Sequence, residues 1–111
     1  MSNRDSRFSL PDALPDFARE LEALLLAANQ PLLAAQVTEL MITRRCSCED
    51  DFCATFYTHF EPDTKPYPDN RTLELDPKDG MILVDVASGR IAGVEVLYRD
   101  DVRRSLRELF P

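Results

Sequence analysis

The chain has 111 residues, of which 44% are apolar, so one small domain can bury enough surface to fold alone. Its net charge of −7 argues against a general binder of nucleic acids or anionic membranes, because attraction to phosphate supplies most of that affinity. The N-terminus has no apolar signal segment, and no apolar run approaches the roughly 20 residues that span a bilayer. We therefore expect a cytoplasmic protein.

The N-terminal part of the chain predicts a helix after a polar start. Residues 1–11 are polar, and we expect them to be flexible. Asp12 is placed to cap a helix, and Pro15 then lies in the first turn, where its missing N–H costs nothing. Apolar residues recur at spacings of three and four up to Ala28, which is typical of a helix with one buried face. A short helical turn is predicted at residues 32–35.

The middle of the chain predicts strands separated by turns. Residues 37–48 are expected to form a long strand that begins apolar and ends basic, and residues 52–60 a second strand rich in Phe, Tyr and Thr. Residues 61–70 hold three prolines and predict a loop, of a length that is often functional in compact domains. Residues 72–76 alternate as in a half-buried strand.

The most strongly patterned stretch is residues 81–98, in which two runs of Ile, Val and Leu flank Ser88-Gly89. This pattern predicts a β-hairpin. A two-residue turn at Ser88-Gly89 would mix apolar and charged side chains on one face, and Ser is a poor first residue for that turn. We predict instead a three-residue loop at 87–89, which places Val84 and Val94 on one wholly apolar face.

The opposite face of this hairpin carries Leu83 and Leu97 and is too apolar for plain solvent exposure. We therefore expect the sheet to be covered on both sides, once by helices and once by a second copy of the chain, which makes a homodimer. The predicted register places Asp85 and Glu95 more than about 10 Å apart along the strands, too far to share a proton.

A final helix is predicted from Asp100 or Asp101, either of which can cap it. Its candidate buried positions are Val102, Leu106, Leu109 and Phe110. Arg99, Arg103 and Arg107 recur every fourth residue, and such a row of like charges suits an acidic partner, such as the acidic turn of another copy. These three arginines are our candidate interaction residues, and a solvated helix face is the alternative.

Together these elements predict an α+β fold in one domain, residues 1–111. It has an N-terminal helix, an antiparallel meander sheet of about five strands in sequence order, and a C-terminal helix.

The three cysteines carry the most distinctive local pattern. An odd number of cysteines in a chain without an export signal predicts reduced thiols and not a disulfide framework. If residues 49–52 form a hairpin loop, Cys48 and Cys53 face each other with Cβ atoms about 5 Å apart, and Cys46 lies on the same face. Three converging sulfurs suit a thiolate-bound metal such as zinc.

The fourth ligand of such a site is not evident from the spacing. His59 would lie about 20 Å from Cys53 along an extended strand, so it cannot complete the site without a sharp bend. Asp50, Asp51, a water or a second subunit are the remaining choices. Two other interpretations stay open, namely small buried core residues and a redox pair formed by Cys48 and Cys53.

The string CSCEDDFCATFYT at 46–58, together with residues 80–85 and 89–98, resembles a family of small uncharacterised bacterial proteins, a domain of unknown function. This resemblance covers roughly the last two-thirds of the chain and implies a bacterial cytoplasmic protein. It brings no activity and no site residues. The segment GRIAGVEVL at 89–97 also resembles the end of other small β-rich domains of unknown function.

Two functional hypotheses follow from these observations. The first is a non-catalytic binding or structural module that self-associates, since the sequence shows no catalytic constellation and no Gly-rich phosphate loop. The alternative is a thiolate metal-binding or redox protein that uses Cys46, Cys48 and Cys53. An enzyme has the weakest support, and its best site would be a pocket beside residues 62–68.

Overall fold

The computed structural model describes residues 8–48, 50–58 and 71–110. Its elements in chain order are β1 (Phe8–Ser9), α1 (Leu10–Ala13), α2 (Pro15–Ala27), α3 (Pro31–Gln36), a 3₁₀ turn (Val37–Glu39), β2 (Met41–Arg45), β3 (Phe56–Thr58), β4 (Arg71–Glu74), β5 (Met81–Ala87), β6 (Arg90–Leu97) and α4 (Asp100–Leu109). None of the helices in these ranges is long and apolar enough to cross a membrane.

The six strands form one antiparallel sheet in the order β1-β2-β3-β6-β5-β4. The α+β class, the antiparallel sheet and the helix toward each end are confirmed, with one more strand than expected. The strand order is not sequential, because β3 pairs with β6 and not with β4. Burial explains this order. Ile91, Val94 and Val96 of β6 are fully buried, so β6 takes a central place, whereas most of the short β4 is exposed and lies at the edge.

The start of the described chain is ordered, so the expected flexibility is wrong for residues 8–11. β1 pairs with β2, and Leu10 is completely buried. The single predicted helix is divided at Leu14, which has φ −134° and ψ 67° and separates α1 from α2. Pro15 explains the break, because a residue before proline is pushed out of the helical region. Asp12 therefore lies within α1 and caps no helix.

The long strand predicted at residues 37–48 is mostly not a strand. The helical turn predicted at 32–35 is confirmed within α3, but the chain then continues as the 3₁₀ turn with Val37 buried, and only Met41–Arg45 pairs in the sheet. The second predicted strand is likewise shorter, although an isolated bridge joins Cys53 to Leu97. The predicted loop at 61–70, the pocket beside residues 62–68 and His59 lie outside the described residues.

The predicted hairpin is present, but its turn differs from the expected one. Ala87 pairs with Arg90, so the turn has two residues and not three. Ser88 and Gly89 both have positive φ, 56° and 77°, which is the conformation of the twisted two-residue turns that suit hairpins.

A β-bulge at Ala92 reconciles this turn with an apolar inner face. The pairing shifts between Asp85 and Val86, and β6 has one residue more than β5 at this point. The extra residue reverses the alternation, so that Ile91 and Val94 are both completely buried. Val84 and Val94 share the buried side, as predicted. They are also direct partners in the ladder, whereas the predicted three-residue loop would have paired Val84 with Ala92.

The helices cover one side of the sheet. Every buried apolar helical residue in the described chain belongs to a single core with the inward-facing strand residues, and the Phe17 and Phe56 rings meet edge to face at 6.0 Å. We call the opposite side the outer face and define it by Met81, Leu83 and Leu97. Met81 is 40% exposed, and Leu83 and Leu97 are half-buried. The expected helical cover is confirmed, and the second cover stays a prediction.

The C-terminal helix is confirmed as α4, with Val102 and Leu106 buried in the core. The predicted cap is wrong, because Arg99 holds the capping position and its side chain makes no capping hydrogen bond. Asp100 and Asp101 instead lie in the first turn, where their negative charges still favour the helix dipole.

Candidate metal centre

The cysteines lie where β2 and β3 extend beyond their last ladder pairs. The Cys46 amide donates to the Thr55 carbonyl at 2.9 Å, so Cys46 lies opposite Thr55. The same antiparallel spacing places Cys48 opposite Cys53. The turn between them is closed by a 3.4 Å hydrogen bond from the Cys53 amide to the Asp50 carbonyl. The end of this hairpin therefore brings all three cysteines to one place.

The three sulfur atoms converge as the spacing predicted. The Sγ atoms of Cys46, Cys48 and Cys53 lie within 4.8 Å of one another, and all three residues are half-buried thiols without a disulfide. Sulfurs around tetrahedral zinc lie about 3.8 Å apart, since each Zn–S bond is about 2.3 Å. Small side-chain rotations therefore suffice to close the three thiolates on one ion.

The described residues supply no fourth ligand in contact with this group. No described carboxylate or imidazole joins the three sulfurs. Asp50 and Asp51 are exposed beside them, whereas His59 and Glu49 lie outside the described residues. The candidate fourth ligands are therefore still Asp50, Asp51, a water or a residue of a second subunit.

Hydrogen bonds and burial give Cys48 and Cys53 different pKa values. Burial raises the pKa of Cys53, but hydrogen bonds from Thr55 and from the other two thiols outweigh it, so this pKa is lowered. The Asp50 amide lowers the pKa of Cys48, but contact with the Cys53 and Cys46 thiols and burial raise it to about 11. Cys53 therefore ionises before Cys48, and a bound cation would have to displace the thiol protons.

Thr55 is a candidate site residue that the sequence pattern did not bring forward. It is 7% exposed, and its hydroxyl oxygen accepts a hydrogen bond from the Val96 amide at 3.3 Å. This bond leaves the hydroxyl hydrogen free to point toward Cys53, whose sulfur it contacts. The Cys-x-Thr spacing on one face of a strand is the signal that could have identified it.

Asp85 and Glu95 are in contact, so their predicted separation is wrong. The predicted three-residue loop would have paired Glu95 with Met81. Glu95 instead pairs with Leu83, which brings it two residues nearer to Asp85 along the hairpin. Burial is the first cause that raises the pKa of Glu95, followed by the charge of Asp85 and a hydrogen bond with it. The Thr72 hydroxyl donates to Asp85 at 3.0 Å.

The arginine row of α4 makes contacts within the chain. The Arg99 side chain is only 11% exposed and forms two 2.8 Å hydrogen bonds to Glu20. Arg103 lies 3.6 Å from Asp100, and Arg107 donates to the Asp50 carbonyl at 3.3 Å. The use of Arg99, Arg103 and Arg107 by a partner stays a prediction.

Comparisons of the chain with protein families, with curated proteins and with solved structures found no match. The geometry of the site is therefore the basis for its function.

Proposed function

We propose that this protein is a thiolate metal-binding module that holds zinc through Cys46, Cys48 and Cys53. The observation that carries the proposal is the convergence of three Sγ atoms to within 4.8 Å at the end of one hairpin. Thiolates are soft ligands that select zinc and other thiophilic ions over magnesium or calcium. The half-buried position gives an ion access from solvent.

The ion would take the place of the thiol protons. Metal binding by thiols releases protons, so zinc affinity should fall as the pH falls. A water, Asp50, Asp51 or a residue of a second copy would complete the tetrahedron. The proposed role is binding without a catalytic step.

Zinc affinity of the reduced protein tests this proposal. Wild-type protein should hold one zinc per chain in competition with a chromophoric chelator, and Cys53→Ser should bind at least about 100-fold more weakly, because even ligand-supporting residues change affinity by 10–100-fold. Ser47→Ala is the matched control, since Ser47 is exposed between two of the cysteines, and it should bind as wild type does. Weak binding by wild type, or equal binding by Cys53→Ser, would contradict the proposal.

We also infer a second role, self-association into a homodimer through the outer face. The supporting observation is an apolar surface that no described helix covers and that continues beyond the outer face. Phe52 and Tyr98 are 42% and 62% exposed, and their rings stack at 5.5 Å next to the bridge between Cys53 and Leu97. An apolar patch of this kind commonly marks a protein interface.

We place this protein in the bacterial cytoplasm, in the family of small bacterial proteins that it resembles. Reduced thiols, which zinc binding requires, persist in that compartment. The charge of −7 disfavours a nucleic-acid partner.

A further inference from the structure

We propose that Cys48 and Cys53 form a disulfide when the protein meets hydrogen peroxide, and that this bond releases the bound zinc. The cysteine cluster would then respond to oxidants. The release rests on the proposed zinc binding, whereas the disulfide follows from the hairpin geometry alone.

The hairpin geometry selects one pair among the three cysteines. Residues directly opposite on antiparallel strands have Cβ atoms about 4.5–5.5 Å apart, close to the 3.5–4.5 Å of a disulfide. The Cys46 amide donates to the Thr55 carbonyl, so these two residues lie opposite each other. Cys48 follows Cys46 by two residues and Cys53 precedes Thr55 by two, so Cys48 and Cys53 also lie directly opposite each other. Two residues of strand rise separate the Cα atoms of Cys46 and Cys48 by about 6.6 Å. Cys46 and Cys53 are diagonal neighbours, whose separation is about 7–8 Å.

A small oxidant can reach this pair from solvent. Asp50, Asp51 and Phe52 in the intervening turn are all exposed, and none of them belongs to the core. Both sulfurs lie on half-buried residues. The two Cβ atoms need to approach by about 1 Å, and the turn between them lies outside the core.

The oxidation occurs in two balanced steps. The Cys53 thiolate attacks one peroxide oxygen, the O–O bond breaks, and hydroxide leaves to become water with one proton, which gives a sulfenic acid on Cys53. The Cys48 sulfur then attacks the Cys53 sulfur, the S–O bond breaks, and the leaving hydroxide takes the Cys48 proton as a second water. The two thiols lose two electrons, and the peroxide gains them. Thr55 favours Cys53 as the first nucleophile because it donates hydrogen bonds to that sulfur.

The disulfide would remove two of the three zinc ligands. Only Cys46 would remain as a thiolate, and no described carboxylate or imidazole joins the cluster to replace the lost sulfurs. A single thiolate cannot retain zinc against a chelator, so the ion leaves.

The experiment treats reduced apo and zinc-loaded protein with hydrogen peroxide. Digestion on the N-terminal side of aspartate separates the peptide with Cys46 and Cys48 from the peptide with Cys53, and mass spectrometry then detects a cross-link. We expect wild type and Cys46→Ser to cross-link. We expect Cys48→Ser to lose the cross-link and to retain a sulfenic acid on Cys53 that dimedone traps.

A chromophoric chelator measures zinc in the same reaction, and we expect one zinc released per disulfide formed. A cross-link in Cys48→Ser, no cross-link in wild type, or zinc that stays bound after the cross-link forms would each overturn the inference and leave zinc binding intact. Failure of zinc to bind the reduced protein overturns both the proposed function and the release. Circular dichroism confirms that the serine variants, which are matched in size and burial, are folded.

Discussion

Two glycines with nearly the same backbone conformation have different roles in this fold. Gly80 has φ +72° and Gly89 has φ +77°, a region that side chains disfavour. A Cβ on Gly80 would lie 2.5 Å from the Leu97 carbonyl oxygen and 2.8 Å from the Arg99 side chain, whereas a Cβ on Gly89 would meet nothing within 4 Å. Gly80 therefore lets the start of β5 approach the end of β6, and Gly89 only shapes the turn.

Alanine at each glycine should separate backbone strain from steric clash. Gly89→Ala should lower the free energy of unfolding by about 1–2 kcal/mol, the cost of a left-handed backbone. Gly80→Ala should lower the free energy of unfolding by about 1–3 kcal/mol more than Gly89→Ala does. The reason is that the Leu97 backbone carbonyl cannot move aside as a flexible side chain can. Urea unfolding of both variants measures the difference. Equal losses would show that the close contact at Gly80 is relieved without cost.

At the scale of elements, α4 is attached to the rest of the domain at both ends. Arg99 at its start binds Glu20 of α2 and Asp101, and these carboxylates raise the pKa of the guanidinium above its usual value. At the other end, Arg45 of β2 donates a 2.7 Å hydrogen bond to the Phe110 carbonyl. The apolar residues Val102 and Leu106 lie between these two polar attachments.

The hairpin of β5 and β6 carries a carboxylate pair that should make stability depend on pH. Burial and then Asp85 raise the pKa of Glu95 above its ordinary 4.5, so the folded state binds the proton more tightly than the unfolded state. Protonated Glu95 therefore contributes to stability at pH values below its ordinary pKa. This contribution is lost as the pH rises through the pKa of Glu95 in the folded state. Partial exposure keeps this loss below about 1 kcal/mol.

Glu95→Gln should remove this dependence. The variant should match wild type at about pH 4 and exceed its unfolding free energy by up to about 1 kcal/mol at about pH 7, because glutamine cannot ionise beside Asp85. Urea unfolding at several pH values measures it. Glu74→Gln on the exposed edge strand is the control, because it changes the net charge equally. Its free energy of unfolding should depend on pH as that of wild type does. A parallel curve for Glu95→Gln would contradict the prediction.

At the scale of the whole molecule, the sheet has one thoroughly buried side and one that the described helices leave open. The inner side holds fully buried Ile82 and Val84, while their neighbours Met81 and Leu83 face outward with partial exposure. A second copy that covers the outer face would bury this apolar surface and the nearby rings of Phe52 and Tyr98.

A charge on the outer face should therefore weaken self-association. Wild type should be a dimer by size-exclusion chromatography with light scattering, and Met81→Lys should weaken it at least about tenfold, since an unpaired charge in an interface costs several kcal/mol. Leu32→Lys is the control, because Leu32 is 82% exposed on a different surface, and it should stay dimeric. A monomeric wild type, or an undisturbed Met81→Lys dimer, would contradict the proposal.

Several features of this protein could be predicted from the sequence because they depend on neighbouring residues. The apolar spacing that ends at Ala28 predicted the helix of α2, and the apolar alternation predicted that Val84 and Val94 share the inner face. The convergence of Cys48 and Cys53 with Cys46 followed from a short loop between two extended segments. In each case, backbone periodicity and a tight turn determine which side chains meet.

Other features were decided only by tertiary structure. The place of β6 between β3 and β5 depends on segments far apart in the chain. The bulge at Ala92 and the contact of Asp85 with Glu95 lie within one hairpin, but they depend on a register that the local pattern did not determine. Each arrangement is set by how much apolar surface the whole sheet buries against the helices, so a local pattern cannot select it. The three sulfurs could thus be expected to meet, whereas the bond from the Val96 amide to the Thr55 hydroxyl depends on the pairing of β3 with β6.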